Sequence, residues 1–253
     1  MIPFDYLLMI ILAFLFGIVD ASFGMGYGTM LTPVLLMLGL APFQVVPAVL
    51  VSQLAGDFLA VMFHHRFENV NLSIGSRDFK IALILAALSL TGSVIAVLVA
   101  FNIPLSYLNL YIGASVSASG LIILATRKKS RCFSWLRLFF LGSFAAFNKG
   151  ISGGGYGPIA MAGQILTGVE VKSAIGITAL SEGITCIFAA ATYFLIYRSI
   201  DLPLLVLLSI GITFSAPLAA LIVRKVESRN IKLMIGTLTL MLGLLTVLKA
   251  LLV

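Results

Sequence analysis

The chain has little charge, few cysteines and few histidines, and each shortage excludes a class of protein. Only 10% of the 253 residues are charged, whereas a soluble domain has about 25%. Hydrophobic residues make up 61% of the chain, and the mean hydropathy is +1.17. We therefore expect an all-α protein that crosses a membrane several times. The two cysteines, Cys132 and Cys186, and the two histidines form no metal-ligand pattern, so we expect no metal and no cofactor.

The sequence also lacks the motifs of intramembrane enzymes. It contains no His-Glu-x-x-His motif, no paired catalytic aspartates and no serine–histidine pair in matched segments, so we expect no enzymatic activity. The net charge of +7 does not indicate a nucleic-acid partner, because no basic run is interleaved with aromatic residues. Basic residues accumulate in the cytoplasmic loops of membrane proteins. The expected partners are the lipid bilayer and a small solute.

One glycine-rich stretch is present and occurs twice. The first copy is DASFGMGYGT at residues 20–29, and the second is KGISGGGYGP at residues 149–158. Each glycine disfavours a helix by about 1 kcal/mol relative to alanine, so each copy is predicted to interrupt a helix. Residues further along the two halves also match each other at a similar spacing. The sequence therefore predicts one domain, residues 1–253, whose repeats 1–126 and 137–253 are joined by a basic cytoplasmic loop.

Long apolar segments surround these two breaks. Those of the first half are residues 4–23, 30–40, 43–64, 81–101 and 105–125, and those of the second half are residues 138–148, 159–168, 171–197, 202–223 and 232–253. A membrane-crossing helix needs about 20 apolar residues, so the short pieces next to the breaks cannot cross alone. His64 and His65 end one segment and are predicted to be solvated at the membrane surface.

The charges distinguish two topologies. If each broken segment is one plain crossing, the halves are parallel and the Lys and Arg residues divide ten against five. If each broken segment enters and returns, as a re-entrant hairpin or a pair of short helices, the halves are inverted and the division is 13 against 2. The positive-inside rule favours the second arrangement. The sequence thus predicts inverted repeats, with loops 66–80, 127–137 and 224–232 in the cytoplasm.

The two breaks are the candidate substrate site. Non-helical backbone within a membrane must be buried in protein or line a cavity. Its N–H groups, together with the positive end of a restarting helix, can bind an anion. Thr29 and Pro158 stand where the helices are expected to restart. The predicted substrate-binding residues are Gly24, Met25, Gly26, Tyr27, Gly28, Thr29, Asn148, Lys149, Gly153, Gly154, Gly155, Tyr156 and Gly157.

Polar residues inside the apolar segments are candidates for coupling transport to a proton or another ion. Ionisable residues in a membrane are energetically unfavourable and usually functional. The candidates are Asp20, Gln53, Asp57 and Glu182. Asp20 and Lys149 hold equivalent positions with opposite charges, so a buried ion pair between the halves is a second interpretation of Asp20.

Two other interpretations of the glycines stay open. Small residues let membrane helices pack closely, which is the role expected for Gly113, Gly120, Gly236 and Gly243. The repeated Gly-Tyr-Gly also resembles part of the potassium-channel filter, whose carbonyl groups coordinate a cation. The alternative function is therefore an ion channel or cation permease.

The paired motifs resemble those of the TauE/SafE family of sulfite exporters. GMGYGTMLTP at residues 24–33 looks like the first family motif, and GGGYGP at residues 153–158 looks like the second. The resemblance covers the whole chain. It implies a secondary transporter of a small sulfur-containing anion, such as sulfite or an organosulfonate. It also implies a multi-pass protein of the plasma membrane, with the inner membrane of a bacterium or archaeon as the expected location.

Overall fold

The computed structural model describes residues 3–100, 105–126, 132–152, 156–197 and 200–252. These ranges contain ten α-helices, one π-helical turn and no strand, so the all-α prediction is confirmed. The helices of the first half are α1 (Pro3–Phe23), α2 (Thr32–Met37), α3 (Pro42–Arg66), α4 (Arg77–Ala100) and α5 (Leu105–Thr126), with the π-helical turn Tyr27–Leu31 before α2. Those of the second half are α6 (Trp135–Ser152), α7 (Tyr156–Leu166), α8 (Val171–Tyr197), α9 (Leu202–Lys225) and α10 (Ser228–Leu252).

Several helices are suited to a bilayer. Within the described ranges, five stretches are long and apolar enough to cross a membrane: Tyr6–Phe23, Gln44–Arg66, Val171–Ala191, Leu202–Lys225 and Ser228–Leu248. Many of their large apolar side chains are exposed to the surroundings, as expected of surfaces that contact lipid. The chain is therefore a multi-pass membrane protein.

Hydrogen bonds at both ends show that α3 and α9 run in the same direction. At their starts, Gln44 Nε2 donates to Asp201 Oδ2 at 3.1 Å. Asp201 also caps α9, because its Oδ1 accepts from Leu204 N at 3.1 Å. Beyond the end of α3, Asn69 Nδ2 donates to Ala220 O of α9 at 2.9 Å. The starts of both helices thus share one face of the molecule, and their ends share the other.

Helix α1 runs alongside α9 in that same direction. Gly211 lies against Ile10 O of α1. Further along both helices, Gly17 lies against Ser215, and a Cβ on Gly17 would sit 3.0 Å from Ser215 Cβ. Helix α6 is the second-half equivalent of α1, and it packs on α4 of the first half just as α1 packs on α9 of the second. Each of these two helices thus packs against a helix of the other half.

Helices α5 and α10 pack in opposite directions through glycines on both. The facing pairs are Gly113 with Val247, Gly120 with Leu240, Gly236 with Leu124 and Gly243 with Ser117. A Cβ on Gly120 would lie 2.5 Å from Leu240 N, so only glycine allows this approach. The packing role expected for these glycines agrees with the contacts. Gly236 is the repeat equivalent of Gly113, and Val247 is that of Leu124. The contact of Gly113 with Val247 is therefore repeated as the contact of Gly236 with Leu124, as expected of two-fold-related halves.

The charged loops of both halves meet on one face, which we call the charged face. The Arg77 guanidinium lies over the Phe133 ring at 5.1 Å, and the Arg224 guanidinium lies over the Phe67 ring at 6.0 Å. Lys172 Nζ donates to Arg224 O at 2.9 Å. Parallel halves would place Lys172 and Arg224 opposite the 66–80 loop. These contacts support the inverted arrangement, which we propose for this chain.

Candidate functional site

The first break is short and depends on glycine. Helix α1 ends at Phe23, and the next helical turn begins at Tyr27. Gly24 has φ 68° and Gly26 has φ 132°, both in the region that side chains with a Cβ rarely adopt. The predicted interruption is therefore present. The restart predicted at Thr29 is wrong, because helical backbone resumes at Tyr27 and includes Gly28.

Thr29 does not offer its hydroxyl hydrogen to a substrate in this arrangement. Its Oγ1 donates to Gly26 O at 3.2 Å, and the same carbonyl accepts from Met30 N at 2.9 Å. The Gly26 carbonyl is therefore engaged by the restarting helix. A cation filter needs carbonyl groups that face an ion path, and this one does not meet that requirement.

The second break lies between α6 and α7. Gly153, Gly154 and Gly155 lie outside the described residues, and so do the side chains of Lys149 and Tyr156. Helix α6 continues to Ser152, so the predicted end of this segment at residue 148 is wrong. Helix α7 begins at Tyr156, with Pro158 in its first turn. Each helix after a break thus starts at the tyrosine of Gly-Tyr-Gly.

Helices α6 and α7 form a hairpin. Ser134 N, just before α6, donates to Thr167 O, just after α7, at 3.1 Å. Gly163 of α7 lies against Leu141 of α6, with a Cβ on Gly163 placed 3.3 Å from Leu141 Cβ. The chain therefore enters along α6 and returns along α7 to the charged face.

The first break also reverses the chain. His64 Nε2, near the end of α3, donates to Ala21 O at 2.8 Å. The hydroxyl of Tyr27 forms a 3.0 Å hydrogen bond with Ser52 Oγ, in the middle of α3. From there α2 leads back to the start of α3 at Pro42. Helix α1 thus runs with α3, whereas α2 runs against it, as a re-entrant segment does.

The two hairpins touch at their glycines. A Cβ on Gly157 would lie 2.8 Å from Gly24 O and 2.6 Å from Met25 Cβ. On its other side, a Cβ on Gly24 would lie 2.8 Å from Met161 Sδ of α7 and 3.4 Å from Thr178 Cβ of α8. Residues from both glycine-rich copies are therefore in direct contact inside the protein.

Asp20 provides a carboxyl group at the first break. Its Oδ1 accepts from Tyr27 N at 3.0 Å, and the residue is 6% exposed. A carboxylate is well placed at the N-terminal end of a helical stretch, where backbone N–H groups point outward. The suggested ion pair of Asp20 with Lys149 stays a prediction, because the Lys149 side chain is outside the described part.

The other predicted coupling residues lie on α3 and α8, and one of them, Gln53, lies beside the first break. A Cβ on Gly28 would lie 3.3 Å from Gln53 Oε1, and a Cβ on Gly183, next to Glu182, would lie 3.2 Å from Asp57 Cβ. Gln53, Asp57 and Glu182 are all buried. Asn148 is buried in α6, where its Nδ2 donates to Phe144 O at 2.8 Å.

The sequence prediction missed three residues that contact the first break or its neighbours. Gln164 Nε2 donates to Thr178 Oγ1 at 2.7 Å, and Thr178 Oγ1 donates to Met161 Sδ at 3.3 Å. Gln164 is 1% exposed, and its Oε1 has no partner among the described atoms. The signal was visible, because Gln164 is a polar residue within an apolar segment, the same criterion that selected Gln53.

The prediction for His64 is wrong, whereas His65 is exposed as expected. His64 is fully buried. Its Nε2 must carry the proton, because Ala21 O can only accept. Its Nδ1 then accepts from Asn69 Nδ2 at 3.1 Å. The imidazole ring therefore links the end of α1 to α3. Asn69, which is bonded to this ring, in turn links it to α9.

A polar cavity of about 490 Å³ opens on the charged face. Its lining includes Glu68, Asp78, Glu170, Lys172 and Ser173. None of the predicted substrate-binding residues lines it. This cavity is therefore separate from the place where the two breaks meet.

Comparison with known families decides the chain's relationship. A family model described as "Sulfite exporter TauE/SafE" matches residues 9–246, which include both breaks. The chain belongs to the TauE/SafE family. No curated protein matches it. As a TauE/SafE protein it belongs to a family of membrane transporters of sulfite and related sulfur anions, and the channel alternative gains no support from the match.

Proposed function

We propose that this TauE/SafE protein is a secondary transporter of a small sulfur-containing anion across the plasma membrane of a bacterium or archaeon. Sulfite and simple sulfonates are the proposed substrates. The observation that carries the proposal is the contact of Gly157 with Gly24 and Met25, which joins breaks from both halves at one buried place. Inverted-repeat transporters bind their substrates where such interrupted helices meet.

The proposed site binds the anion mainly through backbone. Gly24, Met25 and Gly26 contribute the first break, and Gly153, Gly154 and Gly155 contribute the second. The helical stretches Tyr27–Met37 and Gly157–Leu166 follow them, and their N-terminal ends favour negative charge. A site built in this way needs only one or two charged side chains.

Lys149 is the proposed positive side chain of the site, because it directly precedes the second break. Asn148 is the proposed amide donor beside it. Its Nδ2 also donates to Phe144 O within α6. Thr29 is better described as a stabiliser of the first break than as a ligand, since its hydroxyl donates to Gly26 O.

Flux into proteoliposomes tests this function. Purified protein is reconstituted, and uptake of radiolabelled sulfite, sulfate and methanesulfonate is compared with that of empty liposomes. We expect saturable flux of sulfite or methanesulfonate. Lys149→Ala should raise the KM about tenfold, because hydrogen bonds to charged groups contribute about 1.5–3 kcal/mol and 1.4 kcal/mol is a factor of ten.

Lys225→Ala is the matched control. Lys225 lies in the last turn of α9 and is exposed, so its replacement removes the same charge from an exposed helix end. Its KM should equal that of the wild type. Wild-type flux no greater than that of empty liposomes for all three anions would contradict the function. An unchanged KM in Lys149→Ala would remove Lys149 from the site.

A further inference from the structure

The backbone N–H group at the start of the re-entrant helix is already occupied by the protein itself. Tyr27 N donates to Asp20 Oδ1 at 3.0 Å, and both residues are buried. Tyr27 begins the helical stretch Tyr27–Met37, so its N–H is one of the groups expected to bind an anion. The carboxylate of Asp20 therefore sits where the proposed substrate would bind.

Two other buried polar atoms in this region have no hydrogen-bond partner among the described atoms. Ser22, two residues after Asp20, is 2% exposed, and Gln164 is 1% exposed. Neither Ser22 Oγ nor Gln164 Oε1 has a hydrogen-bond partner within the described part of the chain. The Gln164 amide is bonded to Thr178, whose Cβ lies against Gly24. Buried polar atoms without partners are rare and indicate a water or ligand that completes their bonding.

The internal carboxylate exists in only one half. The residue equivalent to Asp20 in the second copy is Lys149, which cannot accept a hydrogen bond. A symmetrical stabilising role would require an acceptor in both copies. The asymmetry points instead to a role of Asp20 in the transport cycle.

Two negative charges cannot share the Tyr27 N–H group. Two like charges held at hydrogen-bonding distance of the same group repel strongly in the low dielectric of a protein interior. An anion can therefore reach this group only after Asp20 has become neutral. A protonated Asp20 no longer needs the N–H group, and its own O–H can donate to the anion.

We propose that Asp20 is an internal competitor of the transported anion, and that it takes up a proton when the anion replaces it at Tyr27 N. Each anion bound at the break is then accompanied by one proton on Asp20. This proposal rests on the proposed function and assigns its coupling ion and the residue that carries it.

The neighbouring elements present other titratable groups. Helix α3 carries Asp57 and His64, the π-helical turn carries Tyr27, α8 carries Glu182, and α6 carries Lys149. His64 Nε2–H is committed to Ala21 O, and the Tyr27 hydroxyl is bonded to Ser52. The α9 residues that pack in the same apolar cluster as Ala21 are Ala216 and Ala219, which do not titrate. Among the described side chains, Asp20 alone accepts a hydrogen bond from the break backbone at Tyr27 N.

Asp20→Asn separates the charge from the hydrogen bond. The asparagine oxygen can still accept from Tyr27 N, but it neither repels an anion nor binds a proton. Sulfite uptake and proton uptake are measured together, with radiolabelled sulfite and a pH-sensitive dye trapped in the proteoliposomes. Sulfite itself titrates near neutral pH, but equally for every variant. The difference between wild type and Asp20→Asn therefore isolates the proton on Asp20.

We expect the wild type to carry about one proton more per sulfite than Asp20→Asn. We also expect Asp20→Asn to bind sulfite at least as tightly as the wild type, with a weaker dependence on pH. Asp78→Asn is the matched control, because Asp78 is another buried carboxylate that accepts a backbone N–H, from Asn71 at 3.3 Å, at the charged face. Its proton-to-sulfite ratio should equal that of the wild type.

Asp20→Ser provides a second neutral acceptor, and its ratio should fall in the same way if Asp20→Asn does not fold. If the wild type transports sulfite and the folded Asp20 variant shows the same proton-to-sulfite ratio, the coupling is overturned while the transport function stands. Loss of sulfite binding in that folded variant would also overturn it, because a neutral side chain at position 20 does not repel the anion and can still donate a hydrogen bond to it. Absence of wild-type sulfite flux would instead overturn the proposed function.

Discussion

The backbone of Gly157 lies directly against the backbone of Gly24, so that a Cβ on Gly157 would be 2.8 Å from Gly24 O. These residues come from different halves of the chain, and each belongs to a copy of the same glycine-rich motif. The contact holds the start of α7 against the end of α1. The distance leaves no room for any larger residue at position 157 without moving one of the two hairpins.

Gly157→Ala should therefore separate the two breaks. The added methyl group meets Gly24 O and Met25 Cα, at 2.8 and 2.9 Å, and backbone atoms cannot yield as a flexible side chain can. Overpacking of this kind destabilises by about 1–3 kcal/mol. We expect a lower thermal unfolding temperature in detergent and at least a tenfold loss of sulfite flux.

Gly163→Ala is the control on the same helix. Its added Cβ would lie 3.3 Å from Leu141 Cβ and 3.7 Å from the nearest backbone atom, which is a milder contact. This variant should retain most of its flux. Equal flux in Gly157→Ala and wild type would show that the contact between the breaks is not needed for transport.

Gln164→Leu tests whether Gln164, whose Oε1 has no partner among the described atoms, belongs to the substrate site. Leu35 is the repeat equivalent of Gln164 in the first half and is fully buried, so an apolar residue suits this position. The change removes a buried oxygen that has no partner among the described atoms, which favours stability, and it removes the hydrogen bond from Gln164 Nε2 to Thr178 Oγ1, which opposes it, so the two effects on stability should largely offset each other. We expect the KM for sulfite to rise severalfold while the unfolding temperature stays the same. An unchanged KM would assign Gln164 to packing alone.

His64→Phe tests the connection between α1 and α3. The phenyl ring fills the same space but leaves Ala21 O without its donor and Asn69 Nδ2 without one acceptor. An unsatisfied buried group destabilises by about 1–3 kcal/mol. The unfolding temperature should fall clearly, whereas His65→Phe, at an exposed position, should change it less. Equal shifts in both variants would contradict the structural role of His64.

The helices and the first break could be predicted from the sequence because their causes are local. Long apolar blocks have few alternatives to membrane helices, and closely spaced glycines disfavour helical backbone wherever they occur. The restart at Tyr27 rather than Thr29 could not be read in the same way. Gly28 adopts helical backbone here because the Gly26 carbonyl accepts from Met30 N and Thr29 Oγ1.

The contacts between distant residues could not be predicted. A segment end such as His64 looks solvated in sequence, and only the packing of α1 and the 67–76 loop buries it. Helix α6 passes the polar residue Asn148 because its amide bonds back to Phe144 O within the helix. The bond from Tyr27 N to Asp20 likewise depends on the chain reversal between them, which no local pattern specifies.

The position of a bound anion shows most directly whether the two breaks form the substrate site. Selenite has the charge and shape of sulfite, and its selenium atom can be located by anomalous diffraction from crystals of the protein soaked with it. We expect a selenium peak beside Gly24 and Gly157, where the two breaks meet. A peak confined to the polar cavity of the charged face, or none within the protein while sulfite is transported, would contradict this expectation.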